Sequence, residues 1–121
     1  MKYVTAGLNT AVGLGLLFGV GATPAIAELD IFSANYTIPH CKNVLNNRVN
    51  ADYPQGMCMG RIQALLWVLG DDKFCKPQQA TAGQAIRVVI SYAELRPARM
   101  HEDFLWLSTE ALVAAWPCPK R

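Results

Sequence analysis

Few residues in this 121-residue chain have side chains that could do chemistry. They are Cys41, Cys58, Cys75 and Cys118, the two histidines His40 and His101, and the carboxylates Glu102 and Asp103 that follow His101. A Cys–His pair makes a nucleophile only if the thiol is free. A zinc site built from cysteines needs Cys-x₂₋₄-Cys spacing, and a redox pair needs Cys-x-x-Cys; neither spacing occurs here. His40 adjoins Cys41, and neighbouring residues rarely ligate one metal. Glu102 and Asp103, adjacent on a helix start, point in different directions and make no acid–base dyad. No Gly-x-Ser-x-Gly and no glycine-rich phosphate loop is present. The sequence thus offers no catalytic residue, no metal site and no cofactor motif, and the expectation is a protein that is not an enzyme.

All four cysteines lie beyond a segment with the order of a secretory leader. Lys2 supplies a positive start, an apolar run covers 11–22, and Thr23-Pro24 leads to the small-residue site Ala25-Ile26-Ala27. The run is shorter than the roughly 20 apolar residues of a spanning helix, and no basic flank follows it. Residues 1–27 are therefore expected to be a signal peptide cleaved after Ala27, leaving one small domain, 28–121, with no stable membrane anchor. An even number of cysteines in an oxidising compartment implies two disulfides. Each contributes roughly 2–4 kcal/mol, a large share of the stability of a domain this small. Asn35-Tyr36-Thr37 also fits an N-glycosylation sequon.

Charge excludes one class of partner. The formal net charge is +2, with both signs scattered. Nucleic-acid binding needs a basic footprint, and no basic run or aromatic-interleaved basic stripe exists.

The apolar periodicity predicts an all-α domain, a small bundle of about four helices stapled by two disulfides. The first helix starts near Ser33 with a distortion at Pro39, or later at Thr37, and carries Cys41, Val44 and Leu45. A turn-rich connector covers 46–56. The second helix runs from Gly56 or Met57 to Leu69, with Cys58, Ile62, Leu65, Leu66 and Leu69 on one face, and Gly70 stands at its C′ position. Thr81-Ala82-Gly83-Gln84 is a capping box. The helix it opens carries Ala85, Val88, Val89, Tyr92 and Leu95, widened by Ile86, Ile90 and Ala93, which reads as a central buried helix. Val88-Val89-Ile90 is β-prone, but the cap and the period outweigh it. Pro97 ends this helix and begins the last one, whose stripe is Met100, Phe104, Leu107, Ala111 and Ala114 and which stops before Trp116-Pro117.

Four cysteines allow three pairings. A short connector makes the first two helices antiparallel neighbours, which brings Cys41 near Cys58. Cys75 precedes the third helix and Cys118 follows the fourth, so both fall at the open end of a second hairpin. The expected bonds are Cys41–Cys58 and Cys75–Cys118. The loops held by these staples, 48–56 and 71–80, are the candidate partner-binding surfaces, through Tyr53, Pro54, Asp71, Asp72 and Phe74; Phe74 could equally be a core residue beside Cys75.

The order Phe74-Cys75-Lys76-Pro77, Thr81, Gln84, Val88-Val89, Tyr92, Pro97, His101, Ala111-Leu112 and Ala115-Trp116-Pro117-Cys118-Pro119 resembles the Rap/Tai family of type VI secretion immunity proteins. Ala34-Asn35, Cys41 and Gly56-x-Cys58-x-Gly60 fit the same pattern. The resemblance implies an all-helical periplasmic protein that neutralises a peptidoglycan-cleaving amidase effector by blocking its cleft, typically as a homodimer. It carries over no contact residues. The alternatives are a small periplasmic stress chaperone or general binding protein and, last, a small enzyme using His101 with Glu102 or Asp103.

Overall fold

The computed structural model describes residues 21, 29–48, 50 and 52–120. The leader, its cleavage site and hence the start of the domain lie outside the described residues. Those residues form four α-helices, α1 (Ala34–Leu45), α2 (Tyr53–Val68), α3 (Ala82–Glu94) and α4 (Phe104–Ala115), with a 3₁₀ turn at Pro97–Arg99. Among the described residues, β-type pairing is limited to the isolated bridges Ser33–Asp103 and Gly70–Phe74. The domain is the all-α bundle that the periodicity implies.

Each helix start has a side-chain reason. Ser33 caps α1 by accepting from the Tyr36 N–H, so α1 takes the earlier of its two possible starts, with Pro39 inside it. Asp52 caps α2 by accepting from the Gln55 N–H, and Pro54 occupies the first turn, where its missing N–H is harmless. Helix α2 therefore begins before the expected Gly56 or Met57. Thr81 and Gln84 form the expected capping box on α3, with the Thr81 N–H donating to Gln84 Oε1 at 2.9 Å. Pro97 opens only the 3₁₀ turn. Helix α4 waits for Asp103, which accepts from the Trp106 N–H.

The starts of α1 and α4 also satisfy each other. The Ala34 and Asn35 N–H groups donate to the carbonyls of Glu102 and Met100, at 2.9 and 2.7 Å. In return the Phe104 N–H donates to the Phe32 carbonyl at 2.8 Å. Helix starts leave orphan donors, and here the approach to each helix supplies the acceptors for the other.

Helix α3 packs against α1, α2 and α4, as a central helix must. Its buried face is Ala85, Ile86, Val89, Ile90 and Ala93. Leu95, expected on that face, is 79% exposed at the C-cap. Around α3 close Ile38 and Cys41 of α1, Cys58, Ile62 and Leu65 of α2, and Phe104, Leu107, Ala111 and Leu112 of α4. Ser108 and Leu112 join the expected Phe104, Leu107 and Ala111 on the buried face, centred on i, i+3, i+4, i+7 and i+8, and Ala114, expected there, falls at its edge and is exposed. No helix among the described residues is long and apolar enough to cross a membrane.

The disulfides are Cys41–Cys58, with Cα atoms 5.5 Å apart, and Cys75–Cys118, at 4.7 Å. The first joins α1 to α2 in the core, where both cysteines are at most 1% exposed. The second closes the open end of the α3–α4 hairpin, beside a Cys75 N–H bond to the Trp116 carbonyl at 2.8 Å.

Candidate functional site

The proposed contact residues fall into two groups that α2 holds apart. Tyr53 and Pro54 sit in the first turn of α2, not in the connector; Tyr53 is exposed and Pro54 half-buried. Asp71 and Asp72 follow the other end, both exposed. Helix α2, sixteen residues and about 24 Å long, carries the first group at its start, and the second follows its end. The structure does not bring them together in one site.

Phe74 belongs to the core. It is 0% exposed, 6.4 Å from the Trp116 ring between centroids, and no partner can reach it. A tight turn carries it inward: the Asp71 N–H donates to the Phe74 carbonyl at 2.8 Å, and Asp71 takes φ 68°. Gly70 does not supply that positive φ. It is glycine because a Cβ there would run into the Leu66 carbonyl oxygen. Placing Phe74 inside is what pushes Asp71, Asp72 and Lys73 out into solvent.

Beside this turn lies an apolar groove of about 730 Å³ between the end of α2 and the start of α4. Its walls are Leu65, Leu69, Leu105 and Trp106, with Lys73 and Asp103 at the edge. Trp106 is 65% exposed, and Trp67 and Val68 at the same end of α2 are 79% and 75% exposed. Trp106 belongs to the groove wall, whereas Trp67, two positions from both Leu65 and Leu69, projects from the opposite side of α2. Large apolar side chains standing in water at this end of α2 mark an interaction surface. The sequence held a signal for it: Trp67 lies off the Cys58–Ile62–Leu65–Leu69 stripe, on a face that a lone soluble helix would make polar.

The histidines, far apart in sequence, line one cleft of about 510 Å³ with Asp30, Asn35 and Tyr36. His40 lies tilted against the Tyr36 ring, centroids 5.0 Å apart, and its Nδ1 is buried without a hydrogen-bond partner. All four cysteines are in disulfides, and the Ser33 hydroxyl that also lines this cleft donates to the Asp30 carbonyl rather than to either imidazole. Among the described residues no cluster of three or more His, Cys, Asp or Glu could hold a metal ion.

Glu102 and Asp103 have separate structural tasks. Asp103 is the cap of α4, while Glu102 is half-buried in a bidentate pair with Arg99, both N···O distances 2.7 Å. Arg99 also reaches Glu110 at 2.8 Å, and the Tyr92 hydroxyl donates to the same Glu110 oxygen. The hydrogen bonds from Arg99 hold both carboxyls below the ordinary carboxylate range, and the two acids in turn raise the Arg99 pKa. This network ties the 3₁₀ turn to α3 and α4. Arg61 does the same for the chain entering α1, donating to the Ile31 carbonyl and the Thr37 hydroxyl under a cation–π contact with Phe32 at 5.1 Å.

The fold is a small, disulfide-stapled helical bundle braced by polar clusters, with exposed large apolar side chains on its surface. The family model of the Rap1a immunity proteins matches residues 33–118, from the cap of α1 to the last cysteine, and the chain belongs to that family. No curated protein and no solved structure matches it.

Proposed function

We propose that this protein is a periplasmic immunity protein that occludes the cleft of a peptidoglycan amidase delivered by type VI secretion. The observation that carries the reading is the family membership over residues 33–118. Disulfides in both hairpins agree with export through leader 1–27, cleavage after Ala27 and a mature domain 28–121. The surface offered to the effector is the end of the bundle where Trp67, Val68 and Trp106 stand exposed beside Asp71 and Asp72. Aromatic anchors ringed by charge are how compact interfaces concentrate affinity. Tyr53 and Pro54, at the far end of α2, are left for a second contact such as a homodimer.

The test is inhibition of a type VI peptidoglycan amidase from the same genome as this chain, using the purified mature protein. The expected result is stoichiometric inhibition that weakens about 30-fold or more in Trp67→Ala or Trp106→Ala at unchanged melting temperature. An amidase fully active in excess wild-type protein overturns the proposal.

A further inference from the structure

A second groove, sharing no lining residue with the first, runs between α3 and the end of α4 and encloses about 520 Å³. Arg87, Ser91 and Leu95, at four-residue intervals, form its α3 rim. Ala111, Ala114 and Ala115 form the α4 wall, where nothing larger than a methyl group stands between a docking backbone and the helix. Leu95 is 79% exposed at the lip.

Charge says what the groove is made to meet. Arg96 lies with its guanidinium 3.5 Å from the centroid of the Tyr92 ring and donates to the Tyr92 carbonyl at 3.0 Å, so it is held in place with donors to spare. The acids of α3 and α4 are committed elsewhere, Glu94 to Lys42 and Glu110 to Arg99. Among the described residues neither Arg87 nor Arg96 enters a salt bridge. Arg87 lies within α3 and Arg96 just past its end, and Val88, Tyr92 and Leu95 place apolar surface between them in the groove. A stretch of helix with carboxylates two turns apart on one face, at seven or eight positions, and leucine-like side chains between them offers the opposite charge and an apolar face to the groove.

We propose that the α3–α4 groove docks an acidic, amphipathic helix of a partner protein, the arginines gripping its carboxylates while its apolar side chains cover Leu95 and Tyr92. This surface is independent of the effector contact proposed above, so the two readings fail separately.

The probe is a synthetic helical peptide with glutamates eight positions apart and leucines between them, titrated into the ¹⁵N-labelled mature protein. The expected result is shifts centred on Val88, Tyr92 and Ala111, with affinity about tenfold weaker in Arg87→Glu, a substitution at an exposed position whose unchanged melting temperature is checked. A peptide with lysines in place of the glutamates should prefer Arg87→Glu to the wild type. Shifts elsewhere, or an affinity indifferent to both charge reversals, overturn the proposal. So does self-association in sedimentation that Arg87→Glu abolishes, since the groove would then hold a second copy.

Discussion

Removing each disulfide by paired alanine substitution pits two effects against each other. Chain entropy favours the longer loop: closing 43 residues constrains the unfolded chain by about 4 kcal/mol, against about 3 kcal/mol for 17. Burial favours the shorter one. Cys41 and Cys58 are 1% and 0% exposed, so their loss leaves two sulfur-sized voids among Ile38, Ile62 and their neighbours, at roughly 1 kcal/mol each. Cys75 and Cys118 are only half-buried, and water fills what they vacate. The expected costs are about 5 kcal/mol for Cys41→Ala/Cys58→Ala and about 4 kcal/mol for Cys75→Ala/Cys118→Ala, the reverse of the loop-length order. Against a total of about 5–10 kcal/mol, the first variant sits at the edge of unfolding and the second remains folded. Urea titration followed by tryptophan fluorescence reads both, with m-values checked because the unfolded state also changes. A Cys75→Ala/Cys118→Ala variant less stable than Cys41→Ala/Cys58→Ala by more than about 1 kcal/mol would refute the claim that core burial decides the order.

Gly70→Ala should cost about 2 kcal/mol and lower the melting temperature by roughly 10 °C, because the new methyl meets the fixed Leu66 carbonyl and not a movable side chain; an unchanged melting temperature would mean that the turn relaxes freely. Glu102 and Glu110 have folded-state pKa values below the ordinary 4.5, so their contribution is complete above about pH 4.5 and is lost as pH falls through the lowered values. Melting temperatures between pH 7 and pH 3 should therefore fall at the acid end, and Glu110→Gln should flatten that fall; a variant with the wild-type acid profile would remove the network from the account.

Local chemistry was legible in the sequence, and long-range juxtaposition was not. The capping box at Thr81 and the stop at Trp116 depend on neighbours within four residues, and both stand as read. The disulfide pairing followed from hairpin logic alone. The start of α2 at Tyr53 is not legible because the turn-forming run through 46–56 masks Asp52 and Gln55. Gln55 is 3% exposed because its side chain also binds back, donating to the Arg48 carbonyl and accepting from the Asn50 N–H. The start of α4 is not legible either, because Pro97 is an equally good first residue for a 3₁₀ turn, and only packing makes Asp103 the cap. Of the candidate contacts, Phe74 fell to the core because an aromatic beside a disulfide serves either purpose equally well by type. The meeting of His40 with His101 depends on the mutual capping of α1 and α4, which no periodicity encodes.

The cysteines pair first with second and third with fourth in chain order. A chain entering an oxidising compartment N-terminus first presents Cys41 and then Cys58 before either later cysteine has arrived. An oxidant that joins thiols in their order of emergence thus produces the native bonds directly, without a shuffling isomerase. The same order lets the α1–α2 hairpin be locked while the α3–α4 hairpin is still being delivered, so the domain can be assembled in two halves, each proofread by its own bond.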